Sequence, residues 1–155
     1  MQIVVVADVH GNDTALWQVM LAHPDITHVF CLGDGVREYE MVADMEPRRA
    51  FHIVSGNCDW AGGYPTVGIE TVAGKRIVFM HGHTKHVKQT LEPALALARE
   101  MDADLLLFGH THCSTVKKDG KVLACNPGSL GFNGTYAVLS WENENDEIRV
   151  EKKEV

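Results

Sequence analysis

Seven side chains that could bind a metal ion stand in this sequence at the ends of short apolar runs. They are Asp8, His10, Asp34, Asn57, His81, His110 and His112. Carboxylate, amide and imidazole groups together suit divalent manganese, iron, cobalt, nickel or zinc better than calcium or magnesium, which prefer oxygen ligands alone. Seven ligands are more than one ion needs, whereas two ions that share a carboxylate need about this many. The pattern therefore predicts two metal ions in one centre.

Two pairs of ligands have the same spacing, Asp8-x-His10 and His110-x-His112. Alternate residues of an extended chain point to the same side, so we expect each pair to serve one ion or both. Glycines flank the ligands and allow tight turns and close approach of a substrate. A lone Asp-x-His is most often ordinary loop polarity. The prediction depends on the ordered set of ligand-bearing loops, each preceded by an apolar run.

These apolar runs predict the strands that position the ligands. The runs cover residues 3–7, 28–32, 51–54, 76–80 and 104–108. Short, nearly continuous apolar runs are typical of strands that are buried on both faces. Amphipathic helices are predicted from Asn12, as the N-cap, to Pro24, and over residues 37–45 and 93–101. The first half of the chain therefore alternates strand and helix.

The second half contains hairpin signals. Asp119-Gly120 lies between two strand-like runs and predicts a two-residue turn. A further hairpin is expected near Gly74, and residues 135–141 and 148–151 predict a terminal hairpin. We expect one α/β domain over residues 1–155, with mixed strand directions and layered sheets. Open α/β sheets bind ligands at the carboxyl ends of their strands, so the seven ligands should converge at one edge.

Composition limits the class of protein. The chain has 155 residues, 45% of them hydrophobic, which suffices for one domain with its own core. Fourteen basic and twenty-one acidic residues give a net charge of −7, which disfavours long nucleic acid as a partner. The N-terminus does not resemble a signal peptide, and no apolar run is long enough to span a membrane. Four cysteines without a C-x-x-C pair favour a reduced, cytoplasmic setting.

The ordered motifs resemble those of the calcineurin-like metallophosphoesterase superfamily, in particular its small, single-domain bacterial and archaeal phosphodiesterases. The motifs are Asp8-Val9-His10, Gly33-Asp34, Gly56-Asn57-Cys58-Asp59, His81-Gly82-His83 and Gly109-His110-Thr111-His112. The resemblance implies a four-layer α-β-β-α sandwich, in which two mixed sheets pack together with helices outside. This is the metallo-dependent phosphatase fold.

The resemblance also implies how the ligands divide between two divalent ions. Asp8, His10 and His112 would hold one ion, Asn57, His81 and His110 would hold the other, and Asp34 would bridge them. Manganese is the expected metal, with nickel, cobalt, iron and zinc as alternatives. A hydroxide between the ions would attack phosphorus in line, with no protein nucleophile. The residues expected to take part in catalysis are Asp34, Asn57, His81 and Cys58.

The chain departs from the family pattern after the Asn ligand, where Cys58 stands at a position that is His in much of the superfamily. A thiol is a weak hydrogen-bond donor with an ordinary pKa of about 8.5, so it replaces imidazolium poorly. We therefore expect slow hydrolysis of monoesters and retained activity on diesters. The neighbouring Asp59 could orient a ligand or cap the following loop.

A second departure follows residues 126–129, Asn-Pro-Gly-Ser. Members of the branch often continue with Pro-Arg, whereas here residues 130–133 read Leu-Gly-Phe-Asn. Arg37 and Lys85 are candidates to replace the missing arginine. Residues 126–129 could shape the rim of the site or form a purely structural turn.

A phosphodiesterase acting on a small phosphate ester is the favoured function. A phosphomonoesterase or a pyrophosphohydrolase could use the same centre. A non-catalytic, protein-binding scaffold like the retromer subunit of similar fold is a third alternative. The complete ligand set argues against the scaffold, because such proteins tend to lose ligand histidines. Association into a homo-oligomer is left open, and no membrane partner is expected.

Overall fold

The computed structural model describes residues 1–60 and 63–155. Five strands form the first sheet: β1 (Gln2–Val6), β2 (His28–Leu32), β3 (Ala50–Val54), β9 (Thr135–Ser140) and β10 (Arg149–Glu154). Their spatial order is β10-β9-β1-β2-β3. β1, β2 and β3 run parallel, and β9 pairs with β1 in the antiparallel direction. Val4 on β1 lies opposite Val29 on one side and Val138 on the other.

Five more strands form the second sheet: β4 (Val67–Val72), β5 (Lys75–Met80), β6 (Leu105–Phe108), β7 (Thr115–Asp119) and β8 (Val122–Asn126). Their order is β4-β5-β6-β8-β7, with β5, β6 and β8 parallel and both outer strands antiparallel. Each sheet is thus mixed. The parallel strands β1, β2 and β3 lie at one side of the first sheet, and β5, β6 and β8 lie at the centre of the second. The parallel strands of each sheet end at the edge where their polar loops begin.

Four helices accompany the sheets: α1 (Asp13–Ala22), α2 (Val36–Met45), α3 (Glu92–Glu100) and α4 (Leu130–Asn133). The Asn12 side chain caps α1 by accepting the N–H of Ala15 at 3.1 Å, as its position before the apolar stripe predicts. α1 and α2 pack on the first sheet, and α3 packs on the second. The four-layer α-β-β-α sandwich of two mixed sheets is therefore confirmed. No helix in the described part of the chain has the length and apolar character to cross a membrane.

The core explains why the strands appear in the sequence as continuous apolar runs. On β1, Ile3 and Val5 point into the layer between the two sheets, where they meet Leu105 and Leu107 of β6. Their neighbour Val4 points the other way, toward the apolar face of α1. Both faces of the strand are buried, so apolar residues occupy every position instead of alternate ones.

Two local features differ from the expectation. In the β7–β8 hairpin Asp119 pairs with Val122, so the turn consists of Gly120-Lys121 and not Asp119-Gly120. Gly120 has a φ of +58°, which glycine adopts without strain. The hairpin at Gly74 and the terminal hairpin are present as predicted. α4 was not predicted, because one turn is too short to show a helical period.

Candidate metal centre

The carboxyl ends of the parallel strands from both sheets meet at one edge of the sandwich. The N–H of Asp8, after β1, donates to the Gly33 carbonyl after β2 at 3.1 Å. His81, after β5, places its Nδ1 2.8 Å from the carbonyl oxygen of Leu32, which joins the second sheet to the first. The N–H of Gly109, after β6, donates to the His81 carbonyl at 3.0 Å. The seven predicted ligands thus lie in one cluster of loops.

Asp8, His10 and His112 form the first group of candidate ligands, with one ligand atom from each within 4.8 Å of the others. The Nε2 atoms of His10 and His112 are 3.3 Å apart. Oδ1 of Asp8 lies 3.2 Å from the His112 Nε2 and 3.7 Å from the His10 Nε2. One carboxylate oxygen and two imidazole nitrogens therefore converge on a single point.

Asn57, His81 and His110 form the second group. The His81 Nε2 lies 2.9 Å from Asn57 Oδ1 and 3.0 Å from His110 Nδ1. With Nδ1–H donating to the Leu32 carbonyl, the neutral His81 ring keeps the lone pair of Nε2 directed at the other two ligands. The backbone thus selects the tautomer that a metal needs.

Asp34 lies between the two groups. Its Oδ2 is 3.3 Å from the His81 Nε2 and 3.8 Å from the His10 Nε2. Its Oδ1 accepts the N–H of Cys58 at 2.8 Å, which fixes the orientation of the carboxylate. This position agrees with a carboxylate shared by two ions, and the bridging role stays a prediction.

The residues present fit divalent cations, as the surroundings of Asp8 show. The Asp8 side chain is fully buried, and its Oδ1 forms no hydrogen bond within the described residues. An uncompensated buried carboxylate oxygen is costly, whereas a cation next to it would offset that cost. Burial accordingly raises the pKa of the Asp8 carboxyl. Nitrogen and oxygen donors, without a thiolate in either predicted group, suit manganese and its neighbours in the first transition row.

The surroundings of the centre shift the pKa values of Asp34, His81 and His110 in different directions. Burial opposes ionisation of Asp34, but hydrogen bonding and the charge of His81, with the Cys58 N–H, hold the pKa of Asp34 well below its usual range. Burial would lower the pKa of His81, but Asp34 and Asp8 outweigh it and raise that pKa. Burial and the neighbouring His81 lower the pKa of His110 to about 4. Asp34 is therefore ionised and His110 neutral near pH 7.

The backbone at the paired candidate ligands is left-handed and not extended as expected. Five ligands have positive φ angles between +46° and +68°, namely Asp8, His10, Asp34, His110 and His112. The chain at these positions is therefore not extended, and the strand periodicity assumed for the Asp-x-His and His-x-His pairs is wrong. Each left-handed, non-glycine residue costs on the order of 1–3 kcal/mol, and such strain clusters at functional sites. A left-handed backbone at these positions, and not strand alternation, therefore determines where the paired side chains lie.

Comparison with known proteins agrees with this geometry. The profile of the calcineurin-like phosphoesterase superfamily domain matches residues 1–144. The chain belongs to this superfamily. It is 30% identical over 155 residues to the probable metallophosphoesterase YsnB of Bacillus subtilis, a match that covers 96% of this chain and 89% of that protein.

A protein of Streptococcus pneumoniae described as a predicted phosphoesterase has a solved structure of the same fold. The TM-score is 0.83 at 24% identity, over 99% of this chain and 88% of that one. The vacuolar protein sorting-associated protein 29 of Schizosaccharomyces pombe is 31% identical over 140 residues, covering 83% of this chain and 72% of that protein. Family membership and the two ligand groups support a metal-dependent phosphoesterase that uses divalent ions.

In this phosphoesterase Asp59 holds the loop that carries Asp34. One carboxylate oxygen accepts the N–H groups of Asp34 and Gly56 at 2.8 and 2.7 Å. The other accepts those of Gly35 and Val36 at 3.0 and 3.1 Å. Of the two roles considered for Asp59, these contacts correspond to orienting a candidate ligand, because they fix the backbone of Asp34.

Residues 126–129 likewise connect loops of the phosphoesterase centre. The buried Asn126 donates from Nδ2 to the Gly109 carbonyl at 3.0 Å and accepts the N–H of Gly128 at 2.9 Å. The Ser129 hydroxyl donates to the Asp8 carbonyl at 2.9 Å. These buried contacts show a structural turn that fixes two ligand loops, and not a rim for substrate.

A cleft with a volume of about 520 Å³ extends from the centre toward the start of α2. The predicted residues His10, Asp34 and Cys58 line this cleft, and so does Arg37. Lys85 does not line this cleft, so Arg37 is the better placed candidate for the missing arginine. Cys58 is exposed and lies beside Asp34, and partial loss of solvent contact together with this carboxylate raises the pKa of the thiol.

Phe132 is a neighbour of the site that the motifs did not reveal. Its ring stacks on the imidazole of His10, with centroids 4.8 Å apart and planes 27° apart. It also lies beside His112, with a centroid distance of 5.4 Å. In the sequence, Phe132 is marked only by its position three residues after Ser129 of the Asn-Pro-Gly-Ser motif. No local pattern predicts that its ring contacts His10.

Proposed function

We propose that this phosphoesterase hydrolyses small phosphodiesters at a centre of two divalent cations. The observation that carries the proposal is the pair of ligand groups with Asp34 between them and Cys58 facing Asp34. Two bound cations would hold the phosphate oxygens, activate water as the nucleophile and stabilise charge during in-line displacement. Manganese is the metal we expect, and nickel, cobalt, iron and zinc are alternatives with the same donor preference.

The protein's own residues supply rigid positions for this chemistry. Asp34 is fixed by the Cys58 N–H, and its backbone is fixed by Asp59. The hydrogen bond from His81 Nδ1 to the Leu32 carbonyl orients the ring with its Nε2 toward Asn57. Preorganised groups need no rearrangement when charge develops in the transition state, which is a large source of catalytic power.

The thiol of Cys58 favours phosphodiesters over phosphomonoesters as substrates. Because its pKa is raised, the thiol is neutral near pH 7 and brings no positive charge to the substrate. A monoester dianion needs more positive charge than a diester monoanion, and a poor leaving group also needs a proton donor. A thiol supplies neither as well as an imidazolium would. Monoester and pyrophosphate substrates therefore rank below diesters.

The size of the substrate follows from the cleft and the charge of the chain. A volume of about 520 Å³ is in the range of pockets for small molecules. The net charge of −7 opposes binding of long nucleic acid, whereas two divalent cations would make the centre locally positive and attract a compact anion.

Hydrolysis of matched aryl phosphates tests the proposal. Metal-free protein is reloaded in turn with manganese, nickel, cobalt, zinc and magnesium, and the rates on an aryl diester and the corresponding aryl monoester are compared. We expect turnover of the diester to exceed that of the monoester with at least one transition metal. A preference for the monoester would overturn the substrate class. No turnover with any metal, in protein that circular dichroism shows to be folded, would overturn the enzymatic function.

A further inference from the structure

Two exposed aromatic side chains lie next to the candidate metal centre. Of the Phe, Tyr and Trp residues, all of which the structure describes, Trp60 and Phe132 are the two that are mostly exposed, at 94% and 69%. The others are buried or partly buried in the apolar layers. Large exposed aromatic groups are costly in water and often mark contact surfaces. Their shared location at the centre points to a role in binding.

Phe132 is held beside the centre by a set of backbone contacts. The Ser129 hydroxyl accepts the Phe132 N–H at 3.1 Å and donates to the Asp8 carbonyl. The N–H of Gly131 donates to the same carbonyl at 3.0 Å, and a Cβ at Gly131 would lie 2.1 Å from the Val9 carbonyl oxygen. The one-turn helix α4 is therefore pressed against the loop of the first ligands. One face of the Phe132 ring covers His10, its surroundings include His112, and the residue remains 69% exposed.

Trp60 lies next to the centre on a different surface from Phe132. It lines the cleft that is also lined by His10, Asp34 and Cys58, and Arg37 lines the same cleft. Phe132 does not line this cleft, although it too contacts His10. Trp60 and Phe132 thus lie on two separate surfaces on either side of His10: Trp60 in the cleft that His10 lines, and Phe132 on the His10 ring.

We propose that Trp60 and Phe132 are specificity-determining residues, each of which contacts one of the two ester groups of a bound phosphodiester. The inference rests on the proposed phosphodiesterase function and gives it a substrate class, diesters that carry flat apolar groups. A monoester has one organic group and can use one of these surfaces at a time. Aromatic contacts of this kind change affinity by roughly two- to tenfold each.

Binding of non-activated phosphates tests the proposal without requiring turnover. Titration calorimetry on manganese-loaded protein measures the affinity for diphenyl phosphate, phenyl phosphate and dimethyl phosphate. We expect the wild type to bind diphenyl phosphate more tightly than the other two. Trp60→Ala and Phe132→Ala should each weaken the affinity for diphenyl phosphate about fivefold. In the double variant the affinity should fall by the product of the two factors, because the two surfaces are separate.

Four controls separate substrate contact from other effects. Affinity for dimethyl phosphate and metal content should stay unchanged in both variants. An equal loss for dimethyl phosphate in Phe132→Ala would show that Phe132 acts by holding His10 and would overturn its contact with the ester. Ile69→Ala, which removes an exposed apolar side chain on β4, should bind diphenyl phosphate like the wild type. Phe132→Leu tests whether apolar volume alone restores the affinity.

The outcomes distinguish this inference from the proposed function. Unchanged affinity for diphenyl phosphate in both single variants would overturn the inference, as would a wild type that binds diphenyl and dimethyl phosphate equally. Absence of turnover on every diester would overturn the phosphodiesterase function alone, because the binding comparison does not depend on hydrolysis.

Discussion

The carboxylate of Asp59 accepts the backbone N–H of Asp34 at 2.8 Å, so a residue outside the predicted ligand set positions the central ligand. The same carboxylate accepts three further N–H groups of the two loops after β2 and β3. Hydrogen bonds to a charged acceptor contribute about 1.5–3 kcal/mol each. Asp59 therefore fixes how these two loops approach each other.

Replacing Asp59 should impair the centre indirectly. We expect Asp59→Ala to lower metal affinity or kcat/KM by roughly 10- to 100-fold, the usual effect of removing a group that orients a ligand. Asp59→Asn keeps one acceptor oxygen and should lose less. Metal titration and steady-state kinetics measure the effect.

Asp146→Ala is a matched control, because Asp146 also accepts a backbone N–H, that of Asn143, in the terminal hairpin. Wild-type metal affinity and activity in Asp59→Ala would contradict the positioning role.

The shared position of Asp34 predicts two different losses of metal. Asp34→Asn should reduce binding of both ions, because its carboxylate lies near both ligand groups. His112→Ala should mainly weaken one ion and leave about one ion per chain. Mass spectrometry of metal content after dialysis checks both. Equal metal content in Asp34→Asn and the wild type would refute the bridging role, and the exposed Asp25→Asn serves as a charge-matched control.

The thiol at position 58 predicts a change in substrate preference. Cys58→His should raise monoester hydrolysis by roughly tenfold or more, since an imidazolium can donate a proton to the leaving group and attract a dianion. Diester hydrolysis should change less. Cys58→Ser removes the thiol without adding an imidazole and should keep the wild-type ratio of diester to monoester rates. If Cys58→His shows the same ratio as the wild type, leaving-group protonation at this position is not what limits monoester hydrolysis.

His52, which lies beside His28 and away from the centre, should make the stability of the protein depend on pH. His52 stacks on Phe30 and lies 3.0 Å from His28, and burial lowers its pKa. The unfolded chain therefore binds a proton near an ordinary pKa of about 6.5, before the folded chain does. The free energy of unfolding should decrease as pH falls through that value.

His52→Gln tests this dependence. Urea unfolding at pH 7 and pH 5 should show a smaller loss of stability in the variant than in the wild type. His86→Asn, at an exposed turn position with a φ of +55°, is the matched control and should keep the wild-type dependence. The same loss of stability in His52→Gln and the wild type would rule out His52 as a contributor.

The local elements of this protein were predictable because their patterns are local. β2 occupies the predicted residues 28–32, and α1 begins after the predicted cap, Asn12. Burial on both faces of a strand leaves a continuous apolar run, and an N-cap leaves a polar residue before an apolar stripe. The identity of the candidate ligands was also predictable, since they follow these runs and match a specific series of motifs.

Only the tertiary structure decided which side chains meet. The contact of His81 with the Leu32 carbonyl joins residues 49 positions apart and exists because the two sheets pack face to face. The stacking of Phe132 on His10 and the anchoring of Asp34 by Asp59 likewise depend on how distant loops are brought together. The spacing of apolar residues shows which face of a helix or strand is buried, but it does not show which loop packs against that element. The sequence therefore determined the strands and the candidate ligands, and the packing of two sheets determined the centre that they form.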